Sequence, residues 1–220
     1  MNLKSLLKKI TTLVFRGTVV EEKTASNSHS WQTVSGSQVS SEILRQSVDM
    51  ANAAFPSDYS VSLSDVKRWL AKDPSSVLLI LDQNNQVAAY FSGFQISAQT
   101  YTDICEGDLC DWDITEEASR ADHYRQLFVD KNLYFYIGAI VVRENLRGSL
   151  VFKLLIDSIV GQLQTRANHG QLIYVACEIH SPAAKHTAIK MGLQPHKVAP
   201  DGYPIYSGLL PSPRRPHESP

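Results

Sequence analysis

The sequence has little that marks a specialised class. Its 220 residues include only three cysteines, Cys105, Cys110 and Cys177, an odd number without metal-ligand spacing. A bridge between Cys105 and Cys110 is conceivable, but so few cysteines fit a reduced, cytoplasmic setting better. No apolar run reaches the length of a membrane-spanning helix. Basic charge is not in excess: 21 Lys and Arg face 22 Asp and Glu, for a formal net charge of −1. That balance argues against a general nucleic-acid binder. No internal repeat is visible. What is present, 43% hydrophobic and 20% charged residues, is ordinary globular composition, long enough for one sizeable core.

The two ends differ from the middle. Leu3, Leu6, Leu7, Ile10, Leu13 and Val14 recur at helical spacing among Lys4, Lys8, Lys9 and Arg16, which predicts a basic amphipathic helix over residues 1–16. Such a helix can dock on its own domain, pack on a second copy to make a homodimer, or lie on an anionic membrane surface. Lysines interrupt the stretch, against a signal peptide. Residues 17–30 read as a polar linker and 31–210 as the folded domain. Residues 211–220, with four prolines, read as a disordered tail.

Inside the domain the order of elements is legible. Trp31 to Val34 is a short strand. Ser40 to Ala54 has helical spacing and stops at Pro56. A second helix, capped by Ser62 or Ser64, runs to about Ala71. Val77 to Asp82 and Val87 to Ile96 form a hairpin around a Gln-Asn-Asn-Gln turn. Residues 97–132 are a long acidic insertion, in which Ile114 to Leu127 could be helical. Leu133 to Val142 is a strand that feeds a helix from about Leu150. A strand over Leu172 to Cys177 leads to a helix from Ser181 to Met191, ended by Gly192. Tyr203 to Leu210 is the last strand.

The stretch from Val142 to Leu150 carries the first chemical signal. A strand that ends in the Arg147–Gly148 turn at the start of a helix can hold phosphate. The helix N-terminus offers unpaired N–H groups and the positive end of its dipole, and Arg147 adds a full charge. A second motif lies about thirty residues on, where Ser181, Ala184, Lys190, Gly192 and Leu193 follow one another on the later helix and its end.

In these residues the chain resembles the GNAT superfamily of N-acyltransferases, over roughly Trp31 to Leu210. Val142, Arg147 and Gly148 fall on the family's acyl-CoA signature, and Ser181 to Leu193 on its later helix motif. The resemblance implies an α/β (α+β) fold: a mixed, mostly antiparallel twisted sheet flanked by helices, here preceded by the N-terminal amphipathic helix. It implies acetyl-CoA or another acyl-CoA as co-substrate, no metal, and an amine acceptor. The CoA-binding residues it implies are Ile140, Val141, Val142, Arg147, Gly148, Ser149, Leu150, Val151, Phe152 and Ser181. Ser181, followed by Pro182, also fits a helix N-cap.

The chain departs from the family in two places. Leu150 and Phe152 stand at the signature's small positions, where they could crowd the pyrophosphate. Ala188 stands where the family often has a tyrosine acid, so that Tyr203 or Tyr206 substitutes, the thiolate leaves unassisted, or no transfer occurs.

The chemistry narrows the remaining roles. A neutral amine must attack a thioester carbonyl while N–H groups near Val141 and Val142 hold the oxyanion. Glu178 and His180, two apart at a strand end, share a face and are the candidates for the base. Tyr136 on the central strand could reach the same space. Cys177 reads as a small buried strand residue. The acidic insertion would attract a cationic acceptor. Two functions follow: acyl-CoA-dependent N-acyl transfer, with acetyl the first candidate and a longer chain or an acyl carrier protein as a variant, or a degenerate member that keeps the fold for binding. The first predicts a cytoplasmic enzyme, peripheral to a membrane if residues 1–16 are an anchor.

Overall fold

A computed structural model describes residues 30–36, 39–118, 132–167 and 171–210. The helix expected over 1–16, nearly all of the 17–30 linker, the 211–220 tail and residues 119–131 of the insertion lie outside the described residues. So does most of the helix expected from Ile114 to Leu127.

The described elements are β1 (Gln32–Ser35), α1 (Ser41–Ala54), α2 (Leu63–Lys72), β2 (Val77–Leu81), β3 (Val87–Ile96), α3 (Ala98–Glu106), α4 (Asp111–Ala118), β4 (Leu133–Val142), α5 (Leu150–Arg166), β5 (Ile173–Glu178), α6 (Pro182–Lys190), β6 (Gln194–Val198) and β7 (Pro204–Leu210). The strands form one sheet in the order β1-β2-β3-β4-β5-β7-β6. Only the β4–β5 pair is parallel, because β4 crosses to β5 through α5 rather than through a hairpin. The mixed, mostly antiparallel sheet matches the expected fold class.

Serines start five of the described helices. Ser40, Ser62, Ser97, Ser149 and Ser181 each accept a backbone N–H of the first turn, replacing hydrogen bonds that a helix start lacks. At Ser62 the Asp65 carboxylate returns the bond, completing a capping box.

Both sheet faces are covered, which is why β2 reads as an unbroken apolar run. Leu78 and Ile80 point into the core beneath α5 and α6, with Phe91, Phe135, Val151 and Leu155. Val77, Leu79 and Leu81 point the other way, toward Leu44 and Val48 of α1, Trp69 of α2, Ile104 of α3 and Ile114 of α4. The insertion is therefore partly structured and packs on the sheet. Cys105 and Cys110 are free.

Two glycines shape the central strands. Register between β3 and β4 passes from Ser92–Ala139 to Gly93–Ile137, so that Gly138 is the extra residue of a β-bulge, which bends its strand. Gly93 lies opposite, and a Cβ there would sit 2.7 Å from Phe91 Cζ and closer still to Phe135. Both rings are fully buried and stack with centroids 6.2 Å apart. Gly93→Ala is expected to cost about 1–3 kcal/mol through overpacking, measured as a lower denaturant midpoint at unchanged slope.

Candidate active site

The bulge opens the site. Pairing of β4 with β5 runs from Leu133–Ile173 to Ile137–Cys177 and stops there. Beyond that point β4 continues along β3 as far as Val142, while β5 ends at Glu178, opposite Ile205 of β7. The strands part at Gly138, and the edge of β4 that faced β5 is left without a strand partner.

A cavity of about 540 Å³ fills this cleft. Ile140, Val141 and Val142 line one side, Glu178 to Ser181 the other, and Arg147, Gly148 and Phe152 one end. Ala184 and Ala188 of α6 also face it, so the small side chain at position 188 leaves the groove wider than a tyrosine would.

The turn at the phosphate-like end is fixed by its neighbours. Arg143 donates to Val87 O and lies 3.1 Å from Asp82, which ties the end of β4 to the β2–β3 turn and commits that guanidinium. Arg147 is different: its side chain is 63% exposed and only 3.9 Å from an exposed Glu144, a loose pair of little worth that leaves it able to turn to an anion. Gly148 has φ +79 with open space around it, so the left-handed backbone itself requires glycine here.

The amides of Gly148, Leu150 and Phe152 make no hydrogen bond to a described residue. Ser149 is not such a donor, because its hydroxyl donates to Leu146 O at 2.6 Å and accepts from Val151 N. Capping uses both the hydroxyl and the Val151 amide. Leu150 is 56% exposed and lies outside the cavity lining, so it does not crowd the groove. Phe152 does line it. Val151 points into the core and is fully buried.

A second cavity of about 460 Å³ lies on the α1, α2 and α4 side of β4. The two cavities share Phe55, Gly138, Ala139 and His180, so they meet where the strands part.

Titratable groups gather at that junction. Glu178 has a side chain only 1% exposed, and its Oε2 is 3.4 Å from His180 Nε2. The His180 ring is boxed by Tyr203, Tyr59 and Phe55, with centroids 4.0, 4.6 and 5.7 Å away. Tyr59 in turn donates to Asp201, and burial with that acceptor pushes its hydroxyl far above the ordinary tyrosine range.

Burial raises the Glu178 carboxyl, against the pull of His180. Asp111, at the start of α4, is pushed up to about 7, by burial first and then by the Glu178 charge. Burial, with Asp111 and Glu178 beside it, holds Tyr136 well above its usual range. Cys177 is driven to about 12 by burial and by Glu178, which leaves an unreactive thiol.

Both Glu178 oxygens, Asp111 Oδ1, the Tyr136 hydroxyl and His180 Nδ1 are buried without a hydrogen-bond partner of full geometry among the described residues. Buried polar atoms normally find one, and their concentration at one point singles out this junction as the candidate site.

The sequence-derived candidates thus divide. Glu178, His180 and Tyr203 come together, and Tyr136 joins them. Tyr206 does not: it pairs with Cys177 across β5–β7 and is buried in the core under α6, outside the cavity lining. Ser181 lines the cavity while its hydroxyl caps α6. Asp111 is the addition. It is one acid among many in the insertion, and only the packing of α4 singles it out.

No protein-family model matches the chain, and no curated protein matches it in sequence. Solved structures match its shape. The NatC complex bound to Gag peptide and CoA aligns at TM-score 0.56 and 14% identity, over 82% of this chain and 98% of that one. The chain has the GNAT fold. Naa20 of Chaetomium thermophilum in complex with a bisubstrate analogue aligns at TM-score 0.54 and 15% identity, over 82% and 86% of the two chains. GphF, a GNAT-like decarboxylase in complex with isobutyryl-CoA, aligns at TM-score 0.56 and 9% identity, over 82% and 100%. Within this GNAT fold the parted β4 and β5 enclose the junction of the two cavities. The same fold carries decarboxylation as well as acetyl transfer, so the activity must be argued from the side chains of this chain.

Proposed function

We propose that the chain is an acyl-CoA-dependent N-acyltransferase. The observation that supports this most is the meeting of two cavities at a buried carboxylate–imidazole pair, at the point where β4 leaves β5. One cavity is lined by Arg147 and Gly148 beside free helix-start amides, suited to a phosphate-bearing donor. The other is suited to an acceptor. The solved neighbours that hold CoA, isobutyryl-CoA or a bisubstrate analogue support the same assignment.

In this reading Arg147 and the amides of Gly148, Leu150 and Phe152 take the phosphates. Arg143 N–H pairs with Ala88 O of β3, so by alternation it is the Val142 amide that faces the open edge of β4 and is offered to the thioester oxygen, where negative charge develops. The acceptor nitrogen attacks from the second cavity. Glu178 takes the proton that this nitrogen loses, and His180, held between Tyr59 and Tyr203, keeps the carboxylate in place. A thiol with a pKa near the cysteine value of about 8.5 leaves as thiolate near neutral pH, so no acid is needed at Ala188.

Phe152 at the mouth of the phosphate turn favours a second reading, in which the fold binds without transfer. Acetyl-CoA is expected to raise the melting temperature, since a ligand for the native state stabilises it. Arg147→Ala is expected to weaken CoA binding about tenfold, as one charge-assisted contact is lost. No melting shift at millimolar acetyl-CoA sinks the donor assignment. A shift without release of free thiol in the presence of amines selects the binding reading.

A further inference from the structure

The second cavity identifies its own ligand. Asp111 is carried into it by the insertion between β3 and β4, along with Trp112 and Thr115. Asp111 Oδ1 is buried, bare of hydrogen bonds, and 3.7 Å from where a side chain on Gly138 would begin. It thus faces the point where the cavities meet. The Glu178 carboxylate at that junction is already taken up by His180, 3.4 Å away. Among the described residues, Arg68 and His180 are the basic side chains that line the cavity, and each already lies against a carboxylate. Arg68 lies 2.6 Å from Asp65 at the rim, and His180 lies against Glu178. Among the described residues, Asp111 has no cation of its own there.

The rest of the wall is apolar and aromatic, with Phe55, Val61, Trp69, Tyr90 and Trp112. Such a surface accommodates a hydrocarbon or an aromatic ring and favours a single cation beside it. A second positive charge would be buried against it without an uncommitted carboxylate.

We propose that this cavity is the acceptor site for a primary amine with a compact apolar or aromatic body, and that Asp111 binds its ammonium group. The proposal rests on the acyltransferase reading and names its acceptor class. Forming an amide from an ammonium requires the nitrogen to lose two protons, and the junction holds two carboxylates. One N–H proton passes to Asp111, which frees the nitrogen lone pair. The nitrogen attacks the thioester carbon, the C–N bond forms, and the C–S bond breaks with its electron pair on sulfur. The remaining excess proton on nitrogen goes to Glu178.

The groups that set the charge of Asp111 are Glu178 of β5, His180 beyond it, Tyr136 of β4, Tyr90 of β3 and Asp201 of the β6–β7 turn. Asp65 and Arg68 of α2 face the cavity from the rim.

Calorimetric titration of 2-phenylethylamine, hexylamine, spermidine and 2-phenylethanol tests the proposal, on the free and the CoA-loaded protein. The two monoamines are expected to bind, more tightly as pH rises from 6 to 8 and Asp111 ionises. Spermidine is expected to bind at least tenfold more weakly, because its extra charges meet apolar wall, and the alcohol not to bind. Asp111→Asn is expected to weaken monoamine binding about a hundredfold, as loss of a buried charge partner does, and to remove the pH dependence. Asp108→Asn, on an exposed part of the same insertion, is expected to change neither.

Equal binding by folded Asp111→Asn overturns the proposal, as does preference for spermidine or equal binding of the alcohol. Protein that shifts with acetyl-CoA yet binds no monoamine overturns this inference alone. Protein that binds monoamines without any acetyl-CoA shift overturns the acyltransferase reading instead.

Discussion

Glu178→Gln is expected to lower turnover by about 10²–10⁴-fold, the usual worth of a positioned general base, while leaving acyl-CoA affinity within a few fold. The substitution keeps the shape of a side chain that is 1% exposed and removes only its capacity to take a proton. Binding of the donor depends on the opposite end of the groove, around Arg147, so KM for acyl-CoA should barely move.

The environment of Glu178 explains why the loss is large. Burial raises its carboxyl, and a base with its pKa nearer neutrality drives proton transfer better than an ordinary carboxylate. The acid limb of kcat/KM reports Asp111 and Glu178 together, since the Glu178 charge raises the Asp111 carboxyl. In the variant that limb should simplify to a single ionisation. His180→Gln should cost less, because His180 orients the carboxylate. Turnover unchanged in Glu178→Gln would remove Glu178 from the chemistry, whatever the fate of the fold.

The parts of this site that sequence reveals are those written in local pattern. β4 was legible to the residue, because ten apolar or aromatic positions from Leu133 to Val142 form one run between polar segments. The caps at Ser62 and Ser181 were legible from residue type, those at Ser97 and Ser149 were not. Glu178 and His180 were legible as a pair because side chains two apart at a strand end share a face.

β6 was not legible. All five of its residues are exposed, so neither alternation nor burial marks Gln194–Val198, and only pairing with β7 makes it a strand. α3 escaped for a related reason: of its nine residues only Thr100 and Ile104 are buried, too few to set a helical stripe. Asp111 is the more instructive omission. It sits among seven other acids between Asp103 and Asp122, and nothing in that run favours one over another. What selects it is tertiary: α4 lays its first residue against the bulge at Gly138. A glycine inside an otherwise apolar strand is a local hint of such a bulge, and it marks where the strand opens rather than what approaches it.

Asp111→Asn is expected to stabilise the protein, by on the order of 4 kcal/mol above pH 7, with the gain vanishing toward pH 3. The sign follows from the direction of the shift. Asp111 moves from its ordinary 3.8 up to about 7 in the folded chain, so the folded state holds this proton more tightly than the unfolded state does. Folding is then increasingly penalised as pH rises from about 4 to about 7, and the penalty is constant above that. Asparagine has the same size and never ionises, so the variant escapes the penalty. Urea unfolding of both proteins at several pH values between 3 and 8 measures the gap directly. A gap independent of pH, or a wild type more stable at pH 8, would show that the Asp111 carboxylate is well solvated or paired and defeat the argument. A monoamine that binds Asp111 should narrow the gap at pH 8, because it stabilises only the protein that holds the charge. A carboxylate with a purely structural role predicts the opposite pattern: the variant would be less stable, and added amine would change nothing.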